Sequence, residues 1–242
     1  MTTSASLTTL QVVTVALRKL QVLDLGVTID AVTLANSIQS LQIMLKSWQS
    51  NGIKLWTINT LQLNLVAGQT SYTIGPTGPD LISDKPIKIT QAWLRNISVA
   101  SPNQVDIPLL PLSRQEYNIL GAKAAQGMVN SYFYDVRNTN GVLNLYQTPD
   151  SYTATNMQLW FVAQRPMLDL LTTGADTPDF PTEWFQCLVW GLADELSLEY
   201  GCHINQRQEI AAKAKMYREE MEAWDVEYTS TFFTPDTRLG GR

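Results

Sequence analysis

The chain has 242 residues, of which 45% are hydrophobic and 16% are charged, and its formal net charge is −5. This length is enough for one large domain or two small ones with a substantial buried core. Tight nucleic-acid binders carry a basic patch or stripe, whereas no run of basic residues here exceeds Arg18-Lys19, which argues against sequence-specific DNA binding.

The first part of the chain, residues 6–51, predicts two helices. Apolar residues recur at every third or fourth position over residues 10–20, as one face of a helix requires. A second stripe runs over residues 34–48 and is preceded by Asp30, a candidate N-cap. Gly26 is expected to end the first helix, so that the two helices form a hairpin.

The middle part, residues 56–165, predicts strands. Leucines alternate with polar residues over residues 61–65, the period-two pattern of a half-buried strand. Pro108 interrupts the apolar run 105–110, which is typical of an edge strand. Asn140-Gly141 accepts positive φ and indicates a hairpin. Further strands are expected at 72–74, 87–94 and 158–162, and a short helix after a capping box at 113–116.

The last part is helical again. Pro181 suits the first turn of a helix, and Gly201 is expected to end it. This helix is apolar on more than one face, which predicts a central, buried position. A final helix at 206–228 has an apolar seam with heptad-like spacing. Three aromatic residues of that seam are possible interface or core residues: Tyr217, Trp224 and Tyr228.

The order of helices, strands and helices predicts an α+β fold. Because neither helical part can bury its apolar stripes alone, we expect the N- and C-terminal helices to pack together as a helical core. A mostly antiparallel β-sheet lobe is inserted between them. The expected division is a helical domain of residues 6–52 and 180–228, a β-rich lobe of residues 53–170 and a C-terminal tail of residues 229–242.

Few residues suit catalysis. The one histidine, His203, is interpreted as a capping or surface residue rather than a base. Glu195 and Glu199 lie one helical turn apart, and paired carboxylates can serve a glycosidase, but acidic pairs on helices are usually solvated or matched to basic residues. Metal-ligand spacings and cofactor motifs are lacking in the sequence. We therefore predict no enzyme, no catalytic residue, no metal and no cofactor.

Composition also bears on location and on partners. Cys187 and Cys202 make no disulfide framework and fit a reducing cytoplasm. The polar stretch after Met1 predicts no signal peptide, and no window of about eighteen apolar residues indicates a membrane span. Low charge fits either a compact monomer or a subunit that buries surface against its neighbours. The seven tryptophans, Trp93 and Trp160 among them, can be core residues or interface anchors.

Four segments carry a resemblance to a known family. They are the opening helical hairpin, residues 67–75 with the turn Tyr72-Thr73-Ile74-Gly75, residues 108–149, and the helix that starts at Phe180-Pro181-Thr182-Glu183-Trp184 and ends at Glu199-Tyr200-Gly201. Together they span most of the chain. The chain thus resembles the head-to-tail adaptor family of short-tailed phages, also called packaged-DNA stabilisation, tail accessory or tail tubular A-like proteins.

The resemblance implies a structural virion protein of the head–tail junction, assembled in the host cytoplasm. Such proteins form a homo-oligomeric ring of about twelve copies by heterologous contacts that close on rotation. The ring docks on the portal protein after genome packaging, extends the DNA channel and helps to retain the DNA. Its other partners are the next tail component (a nozzle, tail tube or tail hub) and double-stranded DNA, which passes without sequence-specific binding.

The resemblance also associates portal attachment with the C-terminal segment. The candidate portal-binding residues are Phe232, Phe233, Pro235, Arg238 and Arg242. The alternative for an aperiodic terminus of this kind is a floppy tail without a partner, which is the usual fate of such segments.

Two other functions remain open from the sequence. A phage tail component that cuts cell walls would use a helix carboxylate, Glu195 or Glu199. Loss of wall clearing on Glu195→Gln would favour that enzyme. A binding module of a bacterial host, unrelated to virions, is the third hypothesis, and it predicts that no ring forms with a portal.

Overall fold

The computed structural model describes residues 6–50 and 55–225. Within them, the helices are α1 (Thr9–Lys19), α2 (Ala31–Ser50), α3 (Arg114–Ile119), α4 (Ser151–Asn156), α5 (Phe185–Glu199) and α6 (Ile204–Trp224). The strands are β1 (Ile58–Asn64), β2 (Ser71–Gly75), β3 (Leu81–Ile82), β4 (Lys88–Asn96), β5 (Asp106–Pro108), β6 (Leu110–Pro111), β7 (Gln126–Gly127), β8 (Ser131–Asp135), β9 (Gly141–Tyr146), β10 (Thr148–Pro149) and β11 (Met157–Gln164).

The N-terminal helical hairpin is confirmed, but its turn differs from the prediction. Asp30 caps α2 as expected, because its Oδ1 accepts from the backbone N–H groups of Val32 and Thr33, both at 3.0 Å. Gly26 does not end α1, which stops at Lys19. Leu20 and Leu23 still pack on the helical core, but Gln21 adopts a left-handed φ of 59° that turns the chain away from the helix axis.

Helix α5 is the centre of the helical layer, as the sequence predicts. Its Leu188, Leu192 and Leu196 are fully buried among α1, α2 and α6. Gly191 lets α2 approach closely, since a Cβ atom there would lie 2.9 Å from the Trp48 ring. Trp184, in the 3-10 turn before α5, is 1% exposed.

The β-rich part comprises two larger sheets rather than a single one. One has the order β1-β11-β4-β5 and is antiparallel throughout; the other has the order β3-β2-β9-β8-β6. Apolar side chains from both sheets form a second core, separate from that of the helices. Alternation along each strand predicts which side chains point inward, but it does not assign a strand to one of two facing sheets.

Local turn signals locate two features of these sheets. Pro108 lies in β5, which is an edge strand, as expected from its missing N–H group. The backbone N–H of Leu109 donates to Ala92 in one sheet, and that of Leu110 donates to Asn130 beside the other, so the chain crosses between the sheets here. The Asn140-Gly141 hairpin is also confirmed, because β8 and β9 pair in antiparallel fashion around it.

A polar joint connects the β-rich part to the helical layer. Arg165 follows β11, and its guanidinium donates two hydrogen bonds to Asp179, at 2.5 and 2.9 Å. The indole N–H of Trp56 donates to the backbone carbonyl of Asp179 at 3.0 Å. The predicted α+β fold, with terminal helices flanking a sheet region, is confirmed. The domain boundaries at residues 52, 170 and 180 stay a prediction.

Candidate interaction surfaces

The groups considered for catalysis occupy ordinary structural positions. His203 is the N-cap of α6, and its Nδ1 accepts from the backbone N–H of Asn205 at 3.4 Å. The interpretation of His203 as a capping residue is therefore confirmed. Its Nδ1 atom accepts a hydrogen bond from one of the backbone N–H groups that have no partner within the first turn of α6.

Two of the three carboxylates of α5, those of Asp194 and Glu195, lie near basic residues. Glu195 is exposed and lines a shallow cleft between α2, α5 and α6, together with Lys215 and Arg218. Glu199 is exposed and accepts a hydrogen bond from Ser40 at 3.4 Å. Burial raises the pKa of Asp194 in the same cleft, and the charge of Arg207 opposes this effect. Glu195 and Glu199 therefore lie on an exposed helix face, and basic residues of α6 line the cleft beside Glu195 and Asp194.

The outer face of the four-stranded sheet carries an aromatic pair. Trp93 on β4 lies directly opposite Trp160 on β11, with ring centroids 6.3 Å apart and the planes nearly stacked. The same row across the sheet continues to Pro108 on one side and Gln62 on the other. Both indoles are only half-buried. We call this row of residues 62, 160, 93 and 108 the Trp93–Trp160 face.

A charged pair holds the aromatic row in place. The Arg95 guanidinium lies 4.1 Å from the centroid of the Trp160 ring. It also donates two hydrogen bonds to Asp106, at 2.7 and 2.6 Å, and these keep the pKa of the Asp106 carboxyl below its usual value. Aromatic residues and arginine dominate the binding energy of protein interfaces. This face is therefore suited to a protein partner.

A second surface lies at the end of the helical layer, where α1 ends and α6 begins. Gln206 donates to the carbonyl of Leu20, which brings the end of α1 beside the start of α6, and Ser40 in the middle of α2 contacts Glu199 at the end of α5. Aliphatic side chains there are exposed by 42–87%. We call them the distal apolar patch: Val22, Leu25, Val27, Val32, Leu198 and Ile204. Clustered exposed aliphatic groups are typical of interaction sites.

The aromatic residues predicted on the last helix have different environments. Tyr217 packs on the helical core and stacks with Trp190 at 6.5 Å between centroids. Trp224 is 58% exposed near the end of α6. Tyr228 lies outside the described residues. So do all five candidate portal-binding residues, Phe232, Phe233, Pro235, Arg238 and Arg242.

The sequence indicates individual residues of these surfaces, but it does not predict how the fold brings them together. Trp93 and Arg95 alternate with buried residues along β4, a pattern that predicts one shared outer face. The register that brings Trp160 beside them joins strands more than sixty residues apart, and no local pattern reports it. The distal apolar patch was missed because its loop residues follow no helical or strand period.

The described part of the chain lacks two other kinds of feature. Over residues 6–50 and 55–225, no group of three or more His, Cys, Asp or Glu side chains is placed to hold a metal ion. None of the helices in these ranges has the length and hydropathy needed to cross a membrane.

Comparison with known proteins gives a match along almost the whole chain. Residues 7–235 match the family model described as SU10 adaptor protein. The matched range begins before α1 and extends beyond α6, so it includes both the helical layer and the two sheets. No curated protein matches the sequence.

Proposed function

Because the chain belongs to the SU10 adaptor protein family, we propose that it forms the ring that joins a phage portal to the tail. In this role it is a structural virion protein that docks on the portal after packaging, extends the DNA channel, helps to retain the genome and supports the next tail component. The observation that carries the proposal is the family match over residues 7–235. We infer further that it acts without catalysis.

Two different exposed surfaces support ring formation. A ring closed by rotation uses heterologous contacts, in which one surface of each subunit binds a different surface of the next. The Trp93–Trp160 face lies on the β-rich part, and the distal apolar patch lies on the helical layer. A chain with two such unlike surfaces can bind a neighbour on each side.

The charge of the chain supports passage of DNA through the ring. A net charge of −5 gives little general attraction for phosphate groups, which dominate non-specific DNA affinity. A channel protein with this balance would let the duplex move without strong adhesion. Sequence reading of the bases is not part of the proposed role.

Portal attachment is assigned to the C-terminal tail. Residues 229–242 follow α6 and contain two phenylalanines, one proline and two arginines. Aromatic anchors supply most of the energy in small interfaces, and arginine pairs well with carboxylates. We therefore propose that Phe232, Phe233 and Pro235 bind apolar sites on the portal, with Arg238 and Arg242 at acidic positions beside them.

Electron microscopy of the purified chain mixed with its assembled portal tests this function. We expect one additional ring below the portal, since heterologous contacts close by rotation, and the family resemblance implies about twelve subunits in it. The chain alone and the portal alone are the controls. Portal particles that carry no added density at saturating chain would contradict the proposal. Clearing of cell-wall polymer that Glu195→Gln abolishes would favour the hydrolase instead.

A further inference from the structure

The outer face of the five-stranded sheet carries a pair of arginines at the end of strand β8. The two residues that alternate with core tyrosines along β8, Phe133 and Asp135, lie on this face. Arg114 stands at the start of α3, and Arg137 follows β8. Each of the two guanidinium groups donates a hydrogen bond to the Asp135 carboxylate, which therefore holds them side by side.

This shared carboxylate orients both cations and neutralises only one of them. The Asp135 side chain is 11% exposed, whereas those of Arg114 and Arg137 are 64% and 63% exposed. The hydrogen bonds from Arg137 and Arg114 hold the pKa of the Asp135 carboxyl below its usual value, although burial opposes them. A guanidinium has five N–H donors, so both arginines keep donors for a further anion.

Further contacts extend the arginine pair into a longer row. The Arg114 guanidinium lies 5.3 Å from the centroid of the Phe133 ring, and this ring stacks on Tyr117 at 5.6 Å between centroids. The Nζ atom of Lys123 lies 5.5 Å from the Tyr117 ring centroid. At the other end, Lys85 donates to two backbone carbonyls just after β8, at 3.1 and 2.9 Å. We call the four cations the basic row: Lys123, Arg114, Arg137 and Lys85.

The chemistry of the basic row fits the phosphate groups of a duplex. Its contacts include four cations and one carboxylate, so positive charge is in excess here on a chain whose net charge is −5. Planar guanidinium groups match phosphate oxygens in bidentate fashion. Tyr117 and Phe133 each already contact another ring and a cation, so they support the basic side chains rather than offer a stacking face to unpaired bases.

We propose that the basic row binds the phosphate backbone of double-stranded DNA without reading its sequence. The choice of DNA rests on the proposed function, in which a duplex passes through the ring. One copy holds the duplex weakly, because the chain as a whole is acidic. A ring presents the row once in each subunit, and weak contacts made together by linked sites add up to a stronger hold.

Titration of a fluorescently labelled duplex of arbitrary sequence with the full chain, followed by anisotropy, tests this site. Over about 20 to about 200 mM NaCl, the logarithm of the affinity should fall linearly with the logarithm of the salt concentration, by about 0.9 for each phosphate contacted. Arg114→Gln and Arg137→Gln should each reduce this slope by about 0.9 and lower the affinity at low salt about tenfold. Each single substitution leaves Asp135 with one partner, and circular dichroism confirms that the variants are folded.

Lys215→Gln is the matched control for the loss of one positive charge. Its side chain is 77% exposed on α6, in the helical layer, where it pairs with Glu219. Because this lysine lies outside the basic row, its replacement should leave the salt dependence unchanged. The comparison separates a local contact with phosphate from the effect of overall charge.

Three outcomes overturn the proposal. The first is a full chain that binds no duplex even at low salt. The second is a slope that the arginine variants leave unchanged, or that the control lowers equally. The third is unchanged DNA binding together with weaker binding to the portal, which would assign the basic row to an acidic protein surface. The DNA titration contains no portal, so its failure leaves the proposed ring standing, and failure of portal binding leaves the DNA result standing.

Discussion

Trp184 shows how one side chain holds the helical layer together. Its ring is 1% exposed and contacts three other aromatic rings, those of Trp48, Trp56 and Phe180, at centroid distances of 5.1–6.4 Å. These residues come from α2, the turn before β1 and the segment before α5. The ring therefore joins parts of the chain that are distant in sequence.

We expect Trp184→Ala to lower the free energy of unfolding by about 3–5 kcal/mol, because it empties a large buried volume that the surrounding rings cannot fill. Urea denaturation monitored by circular dichroism measures the change. Trp224→Ala is the matched control: its side chain is 58% exposed, and the expected change is within about 0.5 kcal/mol. Equal effects of the two substitutions would contradict the burial of Trp184.

The Arg165–Asp179 pair predicts a dependence of stability on acid pH. Burial, the largest single effect, pushes the pKa of Asp179 upward, but the hydrogen bonds from Arg165 and from the backbone N–H of Leu168, together with the charge of Arg165, outweigh it, and the net pKa is lowered. A lowered folded-state pKa means that this stabilisation is present above the unfolded value of about 3.9 and is lost as the pH falls through the folded value. Asp179→Asn should cost about 2 kcal/mol at neutral pH.

The same substitution should flatten the loss of stability below about pH 4, because Asn does not titrate. Thermal melts of both proteins from neutral to acid pH measure the difference. Asp169→Asn is the control, since Asp169 pairs with Lys46 but its side chain is 79% exposed; the expected cost is under about 1 kcal/mol. A wild-type acid profile identical to that of Asp179→Asn would contradict the assignment.

At the level of elements, the Trp93–Trp160 face makes a prediction about assembly. Replacing Trp160 by Ser removes an interface aromatic and the ring beneath Arg95, so affinity within the portal-bound ring should fall at least about tenfold. Ile119→Ser, at an exposed position on α3 outside this face, is the control and should leave assembly unchanged. Sedimentation of chain with portal measures both, and circular dichroism confirms folding. Full assembly by the Trp160 variant would exclude this face from the interface.

Helices and strands can be predicted from the sequence where the contacts that define them join residues close together in the chain. Asp30 and Ser113 cap helices through hydrogen bonds two or three residues away, so their helices could be located from spacing alone. The hairpin at Gly141 is equally local. The crossing at Leu109–Leu110 depends on hydrogen bonds to Ala92 and Asn130. Such long-range pairing leaves no periodic pattern, and the division into two sheets could not be predicted.

For the whole molecule, the helical core is assembled from both ends of the chain. Helices α1 and α2 pack on α5 and α6, and the sheets occupy the sequence between them. Asp225, which follows α6, accepts a hydrogen bond from the backbone N–H of Leu55, where the helical layer meets β1. Both cores can be traced through side chains of the described residues, and we expect the fold to persist when residues 229–242 are removed.

We accordingly expect a chain that ends at Tyr228 to melt cooperatively as a monomer and to lose binding to the portal. The loss follows from the removal of the anchors Phe232 and Phe233, whose truncation at an interface costs 2 kcal/mol or more each, or roughly thirtyfold in affinity. Light scattering, melting and portal cosedimentation measure the three properties.

The double substitution Phe232→Ser and Phe233→Ser separates the anchors from the length of the tail, and Thr237→Ser is its matched control. The double variant should behave as the truncated chain does, whereas the control should bind as the full chain does. Portal binding that survives both the truncation and the double substitution would contradict attachment through the tail. The attachment site would then lie among the described residues, and the exposed Trp224 is the next candidate.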